Sequence, residues 1–239
     1  MPLILPDRLA NVFIAYFVTG AWQSNCYVIA DEDAGLAVAI DVGMDAARTV
    51  EELLAQRDFQ LAGILLTHGH IDHCAQAAVL ADAHQAPVWV HPADRELMTH
   101  PAEGLSPQMA GQLHQLIGDA PLHEPRDLRT FEAGVPVRCA GFEFSVTPAP
   151  GHTPGSVLLG LEGDEHMIVF TGDVLFAGSI GRSDFPGGDD HTMRAVLRDV
   201  VATLPPQARV LPGHGPFTTV ADELATNPYL TDAYLEVQS

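Results

Sequence analysis

Short apolar runs closed by turn-forming residues alternate along the chain with segments of helical spacing, the pattern of strands interleaved with helices. Phe13 to Phe17, Tyr27 to Ile29 and Leu36 to Asp41 read as strands, the last two joined by the solvated turn Asp31-Glu32-Asp33-Ala34-Gly35. Val50, Leu53 and Leu54 recur at helical intervals between Ala46 and Arg57. Leu61 to Leu66 and Pro87 to Val90 read as strands, and Cys74 to Ala83 and Ser106 to Ile117 as helices. The last of these lies on an excursion bordered by Pro92 and Pro125, the expected place for substrate-facing decoration. The second half repeats the logic with strands over Glu143 to Thr147, Val157 to Leu161, Met167 to Thr171 and Arg209 to Leu211. A glycine-rich loop from Gly172 to Gly188 precedes a helix over Thr192 to Thr203, for which Asp189 or Asp190 is the expected cap. No Ser- or Gly-rich linker separates the halves, so residues 1–239 are expected to form one domain with a pseudo-repeat boundary near 125. The element order predicts an α/β sandwich with its site at the C-terminal ends of the strands.

Composition removes several function classes. With 239 residues, 47% of them hydrophobic, the chain can bury a substantial core, which excludes a disordered protein. Its 11 cationic residues are all Arg, against 31 Asp and Glu, for a net charge of −20. A nucleic-acid partner needs a basic stripe and a polybasic membrane anchor needs clustered cations, and both are missing. No segment reaches the roughly 18 apolar residues of a membrane span. Met1 to Gly20 lacks the basic start and cleavage site of an export signal, so a cytoplasmic location is expected. Cys26, Cys74 and Cys139 have no metal-like spacing and are expected to be reduced, buried thiols. Trp22 and Trp89 are expected in the core.

The 12 histidines carry the chemistry. His68 and His70, one residue apart on an extended segment, present both imidazoles to one side, close enough to share an ion. Asp72 and His73 follow at the turn and face a second ion more naturally than the first. The alternative, a polar loop with Asp72 as helix cap, explains the Asp but not the three histidines around it. Three further donors stand at the exits of expected strands: His152 in Pro150-Gly151-His152-Thr153-Pro154-Gly155, Asp173 in Thr171-Gly172-Asp173, and His214 in Pro212-Gly213-His214-Gly215. A carboxylate at Asp173 can bridge two cations with its two oxygens. His84, His91, His100, His114, His123, His166 and His191 are read as surface or packing residues.

With Thr67 to His73, Gly151 to Ser156, Thr171 to Asp173 and Pro212 to His214 assembled, the chain resembles the metallo-β-lactamase superfold hydrolases, and among them the short glyoxalase II-like thioester hydrolases. The resemblance runs from about Asn25 to Tyr229. It implies an αβ/βα four-layer sandwich in which His68, His70 and His152 hold one metal ion, Asp72, His73 and His214 a second, and Asp173 bridges them. Asp72 and Asp173 are then the candidate catalytic carboxylates. Asp41 matches a position that supports a metal-binding histidine from behind, although a turn-forming Asp after a strand explains it equally.

Two divalent ions, zinc first with iron or manganese suiting the same donors, would acidify a water for attack on the thioester of a small thiol such as a lactoyl conjugate. The family's persulfide dioxygenases are the competing reading. They keep the H-x-H-x-D-H residues but use one iron at the positions equivalent to His68, His152 and Asp173. Other branches fit less well. The bridging position is Asp173 and no Cys ligand is present, unlike the common secreted β-lactamases. Phe176 stands where lactonases of this kind carry Tyr. Arg182 is a candidate for gripping a carboxylate of the substrate, with a salt bridge to Asp184 as the alternative. No Arg or Lys follows His214, whereas full glyoxalase II proteins bind glutathione through a basic C-terminal domain, so the identity of the thiol stays open. The expected partner is a small thioester.

Overall fold

Period-two alternation along the strands decides how this chain stacks. In a computed structural model that describes residues 3–4, 12–117, 122–132, 134–163 and 166–236, the first sheet takes β1 (Leu3–Ile4), β2 (Val12–Thr19), β3 (Ser24–Asp31), β4 (Leu36–Ile40), β5 (Gln60–Leu65), β6 (Val88–Val90) and β7 (Leu128–Thr130) in chain order. Pairing is antiparallel from β1 to β4 and parallel from β4 to β7. The second sheet holds β8 (Val137–Cys139), β9 (Phe142–Pro148), β10 (Val157–Leu161), β11 (Ile168–Gly172), β12 (Arg209–Pro212) and β13 (Thr218–Thr219), also neighbours in sequence order. Only β11 and β12 pair in parallel there.

Tyr27 and Ile29 of β3, Val38 and Ile40 of β4 and Leu65 of β5 face Phe144, Val157, Leu159, Phe170 and Leu211 of the second sheet in a shared apolar layer. The intervening residues Cys26, Val28, Ala30, Ala37 and Ala39 face outward onto α1 (Ala46–Arg57) and α3 (Ala77–His84), where small side chains let the helices approach. Leu158, Val169 and Val210 play the same part on the other side, against Met193, Val196 and Leu197 of α6 (Asp190–Asp199) and Val220 of α7 (Val220–Thr226). The stacking is therefore helix, sheet, sheet, helix, the expected α/β sandwich.

The helical spacing over Ala46 to Arg57 gives α1 with those bounds, burying Ala46, Val50, Leu53 and Leu54 on one stripe. The helix expected over Cys74 to Ala83 is instead two, α2 (Ile71–Cys74) and α3. Gln76 breaks the run because its N–H donates to the Val42 carbonyl (3.0 Å) and its side-chain oxygen accepts from Ala47 N (2.8 Å), tying the break to the β4–α1 loop. Ser106 to Ile117 likewise splits into α4 (Pro107–Ala110) and α5 (Leu113–Ile117). Asp189 caps α6 by accepting from Thr192 N at 2.6 Å, and the helix ends at Asp199 in a short 3₁₀ turn, Val201–Thr203. A last helix, α8 (Asp232–Leu235), packs beside α6. The three cysteines are buried and unpaired with one another. Among the described residues no helix is long and apolar enough to cross a membrane.

Candidate metal centre

The loops leaving β4, β5, β9, β11 and β12 meet at one end of the sandwich. β5 delivers Thr67 to His73, the β9–β10 connection His152, β11 Asp173 and β12 His214. All seven donors anticipated from the sequence come together there. Donor atoms of His68, His70 and His152 lie within 4.8 Å of one another; those of Asp72, His73 and His214 form a second such group and those of His68, His73 and Asp173 a third. His70 Nδ1 stands 2.8 Å from His152 Nε2, and His73 Nε2 stands 3.3 Å from His214 Nε2. Asp72 Oδ2 lies 3.2 Å from His214 Nε2 and 3.3 Å from His73 Nε2. Asp173 spans both groups, with Oδ1 3.4 Å from His73 Nε2 and Oδ2 3.5 Å from both His152 and His214 Nε2.

Hydrogen bonds from behind fix the tautomers. His73 Nδ1–H donates to Asp41 Oδ2 (3.0 Å), His152 Nδ1–H to the Arg182 carbonyl (2.7 Å) and His214 Nδ1–H to the Gln23 carbonyl (3.2 Å). Thr67 donates its hydroxyl to Asp41 Oδ2 (2.7 Å), so it accepts from His68 Nδ1–H at 3.1 Å. Each of these four rings then turns its Nε2 toward the centre. Asp41 itself has φ 57°, a left-handed conformation uncommon outside glycine, so it is both the turn residue and the support for His73.

Burial and charge act together on these groups. Burial, with His73 next, holds His68 well below its ordinary pKa, and burial with His152 pushes His70 down to about 3. For His73 burial also pushes down, but Asp72, Asp173 and Asp41 outweigh it and hold the pKa well above the usual value. His214 rises to about 9 because its hydrogen bonds to Asp173 and Asp72 outweigh burial. Asp72 and Asp173 are lowered, the attraction of His73 overcoming their burial. The carboxylates thus favour positive charge on His73 and His214, while burial disfavours it on His68 and His70. His68 Nε2 and Asp173 Oδ1 are buried without a hydrogen-bond partner, a costly state for groups of this polarity unless something else satisfies them, and His70 turns Nδ1 into the same cluster. Imidazole and carboxylate donors that converge bare and unsatisfied fit divalent cations.

Residues outside the histidine pattern hold the loops. Asp94, fully buried, accepts from Gly69 N (2.9 Å), Gly155 N (2.7 Å) and Thr153 Oγ1 (2.6 Å), joining the His68 loop to the His152 loop. It leaves β6 in His91-Pro92-Ala93-Asp94, the same strand-exit signal that marks the other donors, and a search led by histidines passes over it. Buried Glu223 accepts from Gly178 N (2.8 Å), Asn227 Nδ2 (2.7 Å) and Thr218 Oγ1 (2.6 Å), pinning the 173–188 loop to α7.

A cavity of about 210 Å³ opens over the donors, walled by Trp22, Leu105, Met109, Phe176, Arg182 and Phe185. Trp22, expected in the core, is a half-buried wall of this cavity, because the β2–β3 turn that carries it leans over the centre. Trp89 packs against the inter-sheet core. The Arg182 guanidinium is held by both oxygens of Asp184 (2.7 and 2.8 Å) and lies over the Phe185 ring at 3.7 Å.

Comparison with known proteins agrees with this geometry. A model of the Metallo-beta-lactamase superfamily matches residues 19–214. An uncharacterised protein of Mycobacterium tuberculosis is 37% identical over 223 residues, 92% of this chain and 98% of that one. Hydroxyacylglutathione hydrolase GloC of Haemophilus influenzae is 36% identical over 212 residues, 88% of this chain and 94% of that protein. Among solved structures, the B3 metallo-beta-lactamase BLEG-1 superposes with a TM-score of 0.76 at 33% identity, covering 91% of this chain and 99% of that one. TTHA1623, in a di-iron-bound form, gives 0.72 at 35% identity over 90% and 99%. ETHE1 from Myxococcus xanthus gives 0.69 at 26% identity over 96% and 84%.

Proposed function

The chain belongs to the metallo-β-lactamase superfamily, and from that membership we propose that it is a dinuclear metal-dependent hydrolase of the glyoxalase II type, cleaving thioesters of a small thiol. The observation that carries the reading is that two complete three-donor groups, His68, His70 and His152 beside Asp72, His73 and His214, share Asp173 between them. Seven donors exceed the shell of a single ion, and two ions would use all of them. The 36% identity to GloC supports the thioester substrate.

In this reading His68, His70 and His152 would hold one ion, Asp72, His73 and His214 the other, and Asp173 would serve both, with zinc, iron and manganese all suited to the donors. When bound, such a pair supplies a water acidic enough to ionise near neutral pH and polarises the acyl carbonyl. The chain's own part is preorganisation. Asp41, Thr67 and the carbonyls of Gln23 and Arg182 keep four imidazoles in one tautomer, and Asp94 keeps the two donor loops in register. The apolar walls exclude bulk water and seat the acyl group. The departing thiolate is weakly basic, so no proton donor is needed at the sulfur.

Parallel assays decide between this and the persulfide dioxygenase reading that the likeness to ETHE1 leaves in competition. Hydroxyacyl thioesters are offered with release of free thiol followed, and a glutathione persulfide is offered in an oxygen electrode. Thiol release without oxygen uptake is expected; oxygen uptake on the persulfide by protein carrying one iron overturns the proposal.

A further inference from the structure

Most guanidinium groups of the described chain sit in ion pairs. Nine arginines of the described chain, Arg182 among them, stand within 4 Å of a carboxylate. Among the described residues, Arg182 is the one guanidinium lining the cavity. Its edge is taken by Asp184 and its face by Phe185. The pair is half exposed and worth little by itself, so the guanidinium is free to swing. Arg182 and Asp184 together add no net charge to the cavity wall. Two divalent ions in the centre would offset only a small part of the net charge of −20 on a chain without a single Lys, and the remaining field repels anions approaching the mouth.

The walls are of another character. Trp22, Leu105, Met109, Phe176 and Phe185 come from three separate segments, the β2–β3 turn, the Pro92–Pro125 excursion and the loop after β11, and all turn apolar surface to the cavity. Ile71, Leu105 and Phe185 form a small core of their own, with Trp22 and Met109 packed against it, so the wall is built into the fold. Its volume, about 210 Å³, suits one compact apolar group.

Resting on the thioester reading above, we infer that the site takes thioesters whose acyl half is apolar, aromatic or branched, and whose thiol half carries no free carboxylate. Glutathione conjugates, with two carboxylates against one ammonium, are then poor substrates compared with conjugates of an uncharged thiol.

The test uses the metal-loaded protein and two pairs of probes. Non-hydrolysable S-benzyl-N-acetylcysteamine and S-benzylglutathione share the apolar group and differ in charge, and calorimetry at low salt reads their affinity. The neutral probe is expected to bind about tenfold tighter or more, the gap closing as salt screens the field, and Asp184→Asn is expected to narrow it by strengthening the glutathione conjugate. Equal or tighter binding of S-benzylglutathione overturns the inference. Replacing benzyl by methyl on the neutral probe is expected to cost about tenfold or more, and Phe185→Ala, or Met109→Ala should the first variant fail to fold, to erase that difference. A methyl probe binding as well as benzyl to the unaltered protein overturns it too. Turnover of the matching thioesters separates the two readings: hydrolysis of both without preference defeats this inference alone, whereas the binding preference with no hydrolysis defeats the hydrolase and leaves the pocket's chemistry standing.

Discussion

Asp41 Oδ2 accepts from His73 Nδ1 at 3.0 Å and, through Thr67, also reaches His68. One carboxylate therefore orients a donor of each three-residue group. Asp41→Ala is expected to weaken metal binding by about 10–100-fold, measured by competition with a chromophoric chelator. Asp41→Asn keeps an acceptor oxygen and is expected to recover part of the loss; unaltered affinity in both variants would show that the ring is oriented by other means.

Asp94 is a buried carboxylate satisfied by two backbone N–H groups and one hydroxyl, with no ion pair among the described residues. Asp94→Ala strands the Gly69 and Gly155 N–H groups, while the Thr153 hydroxyl keeps Ser156 Oγ at 2.7 Å, and at about 1–3 kcal/mol for each unsatisfied group the expected loss of stability is about 2 kcal/mol or more. Denaturant unfolding of the metal-free protein checks this. A loss below about 0.5 kcal/mol, the range of an ordinary surface change, would contradict the role.

Gly213 packs where a side chain has no room. A Cβ there would collide with Asp173 Oδ1 and come within 2.8 Å of His73 Cε1. Gly213→Ala is expected to lower metal affinity by about tenfold or more through the displaced donors, while Gly111→Ala, where a Cβ meets only Pro107 O at 3.5 Å and Gln108 O at 3.6 Å, is expected to leave it unchanged. Equal metal titrations for the two variants would show that the centre tolerates the crowding.

Glu223 ties the 173–188 loop to α7 through Gly178 N. Glu223→Ala is expected to speed exchange of the Gly178 amide by about tenfold or more, since a tenfold change corresponds to about 1.4 kcal/mol of local opening, with the exchange of β10 unchanged. Faster exchange throughout both sheets would instead mark Glu223 as a general stabiliser.

Much of this was legible in the sequence because the informative residues obey local rules. The spacing of Val50, Leu53 and Leu54 matches α1 at both ends, and the apolar run Val157 to Leu161 matches β10. The seven metal-type donors were found together because each follows a strand, and strand ends on one side of a sandwich converge. What escaped was set by tertiary contacts. β7 and β8 have three residues each, too few for alternation to register. The break after α2 depends on Gln76 reaching Val42 and Ala47, partners about 30 positions away. Asp94 and Glu223 look like surface acids in sequence and become anchors only when loops from distant segments surround them. Trp22 reads as core by composition and turns out to wall the cavity.

Metal content measured on protein purified without added metal, followed by titration of the stripped chain, tests the central claim most directly. The account predicts about two divalent ions per chain, and the loss of both, or a large fall in affinity for both, in Asp173→Ala. Saturation at a single ion, or an Asp173→Ala protein that still takes up two, would contradict it.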